Sequence, residues 1–79
     1  MKNFIKKKIS KITQTCYACS SQWEGLTEEG DDIYIRYRYG CLRLDINNKT
    51  IVSIDYGHSL DGVIDLNSAL DLLEDYLSF

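Results

Sequence analysis

Between Asp31 and Gly40 the chain reads DDIYIRYRYG, which places two arginines and three tyrosines between positions 34 and 39. In an extended strand successive side chains point to opposite faces, so Ile33, Ile35, Tyr37 and Tyr39 share one side, while Tyr34, Arg36 and Arg38 share the other. The first set is what a core needs. Folding alone does not call for the second. Guanidinium groups grip carboxylate or phosphate bidentately, and a phenol ring offers a stacking surface, so Tyr34, Arg36, Arg38 and Arg43, joined by Trp23, form a candidate binding face. The structural alternative is that each arginine pairs across strands with Asp45, Asp55 or Glu24, at about 0.2–1 kcal/mol per pair.

Cys16 and Cys19 form a C-x-x-C, half of a tetrahedral zinc set that Cys41 and His58 would complete if the fold brought all four together. Unbridged structural thiols are the simpler reading, because an odd cysteine count does not close into a disulfide framework. Thioredoxin-like redox chemistry would need the dithiol at a strand-to-helix junction, which CYACSSQW does not announce. Asp61 to Asp65 imitates the middle of a calcium loop, but Gly57 and Ser68 stand where its terminal ligands belong. His58, Ser59 and Asp61 are sequence neighbours and do not amount to a triad. With no glycine-rich phosphate fingerprint, anion binding would rest on side-chain charge. The expectation is therefore a non-enzymatic protein with no cofactor.

The elements that would carry these residues follow from periodicity. QWEGLT, IYIRYRY, CLRLDI and TIVSIDY read as strands separated by turns at EEGDD, Gly40 and Asn47-Asn48. The inward sets are Leu42, Leu44 and Ile46, then Val52, Ile54 and Tyr56. VIDLNSALDLLEDYLSF places Leu66, Ala69, Leu70, Leu73, Tyr76 and Leu77 on one helical stripe, with Asn67 or Ser68 as cap and Ser68 with Asp71 as a capping box. The expected fold is α+β: a four-stranded antiparallel β-meander packed on a C-terminal α-helix, in a single ββββα domain over residues 16–79. Residues 1–15, with lysines around Ile5, Ile9 and Ile12, are expected to form a short basic helix or arm, although the β-branched isoleucines suit a strand equally well.

Seventy-nine residues support one core. A composition of 44% hydrophobic and 27% charged residues belongs to a folded chain, and no apolar run reaches the roughly 20 residues of a bilayer helix. Ile5 is followed directly by three lysines, so a signal-peptide core is not formed and a cytoplasmic location without membrane association is expected. Charge is divided unevenly, at +3 over residues 1–43 and −6 over residues 44–79. That division excludes a uniformly basic nucleic-acid coat while leaving room for a local basic patch.

The segments SQWEG (Ser21 to Gly25), IYIRYRYGCL (Ile33 to Leu42) and LDGVIDLNSALDLL together resemble small orphan proteins of bacterial and bacteriophage genomes, over residues 16 to about 73. The resemblance implies an accessory role, in which a small phage-borne protein binds a host component such as part of an antiviral defence, and it brings no catalytic residues. The expected function is binding of a host protein, or of an anionic small ligand, through the Arg/Tyr sheet face. A nucleotide or nucleic-acid binder and a zinc-stabilised structural module are the alternatives. A homodimer made by pairing two such faces is a further expectation.

Overall fold

A computed structural model describes residues 5–16, 20–57 and 63–79. Among the described residues the chain is mostly sheet with one short helix. Six strands run in the spatial order β5-β4-β3-β2-β1-β6 and curl into a half-barrel: β1 (Lys7–Cys16), β2 (Ser21–Thr27), β3 (Asp32–Arg38), β4 (Cys41–Ile46), β5 (Lys49–Asp55) and β6 (Leu77–Ser78). Strands β1 to β5 are an up-and-down antiparallel series. The chain then passes through helix α1 (Leu66–Leu72) and returns as β6, parallel to β1 through Lys7↔Leu77 and Lys8↔Ser78.

The four expected strands are therefore present, but as part of a mixed six-stranded sheet. The expected basic N-terminal helix is a strand from Lys7 onward. Its composition explains the outcome: Ile9, Ile12, Thr13 and Thr15 are β-branched, and the free edge of β2 offers a ladder that an isolated short helix could not match. The lysines are also used locally. Lys7 Nζ lies 2.9 Å from Glu29 Oε1 and 3.0 Å from Asp31 Oδ2, and Lys8 Nζ lies 3.8 Å from Glu28. Part of the basic leader thus neutralises the acidic β2–β3 turn.

One face of the sheet carries the core. Ile9, Trp23, Ile33, Ile35, Tyr37, Leu42, Leu44 and Ile46 are buried on it, and Ile64, Ala69, Leu73 and Leu77 from the C-terminal segment complete the same cluster. Each such burial contributes about 1.5–3 kcal/mol before chain entropy is subtracted. The helix is shorter than its apolar stripe, since regular turns end at Leu72 and Leu77 enters β6. Its cap is Asp65, not Asn67 or Ser68. One Asp65 carboxylate oxygen accepts the Ser68 backbone N–H at 3.1 Å, and the other accepts the Ser68 hydroxyl at 2.7 Å.

Two departures from strict alternation come from the turns. Tyr39 and Gly40 have φ of 54° and 73°, and Asn47 and Asn48 have 53° and 66°, so both hairpins turn in the left-handed region that matches sheet twist. Tyr39 therefore leaves the inward series and is 65% exposed. Tyr56, expected inward, lies past the end of β5 and is 56% exposed, its ring edge-on to Tyr37 at 6.2 Å. No helix among the described residues is long and apolar enough to cross a membrane.

Candidate functional site

Register decides which side chains share the outer face. Across β2, β3 and β4 the direct pairs are Glu24↔Tyr34↔Asp45 and Gln22↔Arg36↔Arg43, with Arg38↔Cys41 beyond them and Ser53 and Asp55 opposite Arg43 and Cys41 on β5. Tyr34, Arg36, Arg38 and Arg43 consequently lie on one pleated surface, opposite the buried set. Trp23 does not. It is paired with Ile35 and only 1% exposed, so it belongs to the core, and its place in the binding face is corrected. The physical reason is parity: Trp23 alternates with Gln22 and Glu24, and only those two can face outward.

The arginines sit in unequal surroundings. Arg43 Nε stands 3.2 Å from Asp45 Oδ1, an ion-pair separation, but lies out of line for a hydrogen bond, which leaves this buried nitrogen with no acceptor. Asp45 Oδ1 already accepts the Thr50 hydroxyl at 2.9 Å. The Arg43 guanidinium carbon is 6.0 Å from the Tyr34 ring centroid. Arg38 lies over the Tyr39 ring at 4.7 Å and donates from Nη2 to the Tyr39 hydroxyl at 3.0 Å. Among the described residues neither Arg36 nor Arg38 forms an ion pair. The one ion pair among the three arginines, Arg43 with Asp45, lies within β4, so among the described residues cross-strand pairing accounts for none of the guanidiniums.

Arg36 and Arg43 are moreover direct cross-strand neighbours, a like-charge placement that costs sheet stability. With Arg38, Tyr39, Cys41 and Ser53 they line a shallow groove of about 280 Å³. A second hollow of about 330 Å³ lies further along the same strands, lined by Glu24, Gly25, Asp32, Ile33, Tyr34 and Asn48. Alternation along DDIYIRYR exposes the arginines in the sequence itself. The contributions of Tyr39, Cys41 and Ser53 depend on turn type and on the β4–β5 register, which only a firm assignment of Tyr39-Gly40 as a two-residue turn would have supplied.

The metal readings fare differently. Cys19 and His58 lie outside the described residues, as do Asp61 and Gly62 of the calcium-like stretch, whose Asp65 is the helix cap. Cys16 lies on β1 and Cys41 on β4. Three strand spacings, roughly 14 Å along the sheet, separate those strands, whereas two thiolates on one zinc are at most about 4.6 Å apart. Among the described residues no cluster of three histidine, cysteine or acidic side chains is placed to hold a metal ion.

Comparison of the chain with protein-family models, with curated proteins and with solved structures gives no match.

Proposed function

We propose that this chain is a non-catalytic binding protein whose Arg36, Arg38 and Arg43 surface, bordered by Tyr34 and Tyr39, captures an anionic group. The observation that carries the reading is the direct opposition of Arg36 and Arg43 across the β3–β4 ladder, with no acid between them and with Arg36 in no ion pair among the described residues. A sheet selected for stability alone would place opposite charges there. An incoming carboxylate or phosphate oxygen would bridge the two guanidiniums through charge-assisted hydrogen bonds. In the accessory role implied by the resemblance to phage-borne proteins, the anion is presented by a host protein or is a small host ligand.

The test is equilibrium binding of inorganic pyrophosphate and of a fluorescent glutamate-rich peptide to the full chain, at low and at raised salt. Wild-type protein is expected to bind at least one of them, more weakly as salt rises. Arg36→Glu combined with Arg38→Glu should abolish binding while the circular-dichroism spectrum stays unchanged. A wild-type chain that binds neither probe, or a double variant that binds as well as wild type, would overturn the proposal.

A further inference from the structure

The outer face is divided electrically along β3. Asp32, Tyr34, Arg36 and Arg38 follow one another at alternate positions, so an acid-lined hollow and an arginine-lined groove are neighbours on one surface, with Tyr34 on the boundary. Three features restrict what such a surface fits. The groove holds three guanidiniums against the Asp45 carboxylate, leaving two positive charges. A single side-chain carboxylate would neutralise half of that surplus, whereas a phosphomonoester carries about −1.5 to −2. The hydroxyls of Tyr39 and Ser53 add donors for the remaining phosphate oxygens.

Tyr34 lies two residues from Arg36, roughly 7 Å along the strand, which matches the separation between the phosphate and the base of a mononucleotide. The adjoining hollow is lined by Glu24 and Asp32, whose carboxylates are acceptors. Acceptors there suit the exocyclic amino groups and ring N–H groups of a base edge, and they repel a second phosphate. A surface meant only for an acidic peptide would gain nothing from these acids. Building on the anion-binding reading above, we infer that the groove and the hollow together form a nucleotide site: the phosphate sits on Arg36, Arg38 and Arg43, the base lies over Tyr34, and its amino edge donates to Glu24 and Asp32.

This inference can fail separately from the broader one. The full chain, labelled with nitrogen-15, is titrated with inorganic phosphate, with AMP, GMP, CMP and UMP, with adenosine, and with a short single-stranded oligonucleotide. The expected result is that mononucleotides bind about tenfold more tightly than inorganic phosphate, the gain that one stacked base supplies. Amide shifts should then extend from Arg36 and Cys41 to Glu24 and Asp32. Amino-bearing bases should be preferred over uracil, Glu24→Gln should erase that preference without weakening phosphate binding, and Arg38→Ala should weaken both. Inorganic phosphate binding as tight as AMP, with no shift at Glu24 or Asp32, overturns the nucleotide site and leaves the anion reading intact. So does binding of the oligonucleotide by a chain that ignores every mononucleotide, which would mean that the ligand is a strand. If no phosphate compound binds but the acidic peptide does, the nucleotide site is again overturned, and if nothing binds both readings fall.

Discussion

Asp31 gathers a network that ties three separate segments. Its carboxylate accepts from Asn47 Nδ2 at 2.9 Å and from the Thr27 hydroxyl at 3.3 Å, and it pairs with Lys7 of β1 at 3.0 Å. Asn47 in turn accepts from the Asp32 backbone N–H through its side-chain oxygen at 2.9 Å, so the β2–β3 and β4–β5 turns are locked to each other. The Asn47 hydrogen bond first, then the Lys7 ammonium, hold the Asp31 carboxyl below its ordinary value of 3.8. Because the folded value is depressed, this contribution is present above the unfolded value and disappears as pH falls through the folded one. Asp65, lowered by its hydrogen bonds to Ser68, works in the same direction. Lys7, raised by Glu29 and Asp31, loses its share only when pH climbs above about 10.5. Urea midpoints measured from pH 5 downward should therefore fall more steeply for wild type than for Asp31→Asn; parallel curves would remove the network from the account. Gly25 has a different constraint: a Cβ there would overlap the carbonyl oxygen of Lys11 and stand 3.0 Å from Ile12 Cα, both of them backbone atoms. Gly25→Ala should accordingly cost about 1–3 kcal/mol or more in chemical denaturation, the scale of overpacking, and an unchanged midpoint would contradict the close β1–β2 approach.

Among the elements, β1 and β6 show where the sequence was hard to read. Strands β2 to β5 announce themselves through alternation bounded by turn residues, and Leu42, Leu44 and Ile46 are buried as their spacing requires. In β1 the register slips between Ile9 and Lys11 and again between Gln14 and Cys16, which breaks the period of two that would have identified a strand. Spacings near i, i+4 and i+7 in Ile5, Ile9 and Ile12 then resemble a helix. Two-residue β6 has no local signature at all, because its pairing with Lys7 and Lys8 is fixed by contacts some seventy residues away in sequence. The arginine face was legible from Arg36 and Arg38 because parity alone places them. Trp23 was misplaced because its phase relative to β3 depends on a pairing that its own segment does not specify. If β1 is integral to the core, Ile9→Ala should cost about 2–5 kcal/mol, and Ile9 is indeed only 5% exposed. A dispensable arm would show no such loss. The open edge at β5 is blunted by the register slip opposite Leu44 and Asp45 and by Lys49, which disfavours edge-to-edge growth of the sheet.

At the scale of the whole molecule, the half-barrel presents two unlike faces. The inner surface and the C-terminal segment bury the hydrocarbon, and the outer surface of β3 and β4 carries Arg36, Arg38 and Arg43. Real sheets break local pairing rules at positions where something else is gained, and Arg36 opposite Arg43 is the sharpest such break among the described residues. The measurement that bears on this most directly follows one variant, Arg36→Thr, in two assays on the same sample: urea denaturation, and pyrophosphate binding at low salt. Removal of one of two opposed guanidiniums should raise stability by about 0.2–1 kcal/mol while weakening anion binding severalfold. A variant that loses stability and binds pyrophosphate as wild type does would show that Arg36 serves the fold, and the binding face would no longer have a basis.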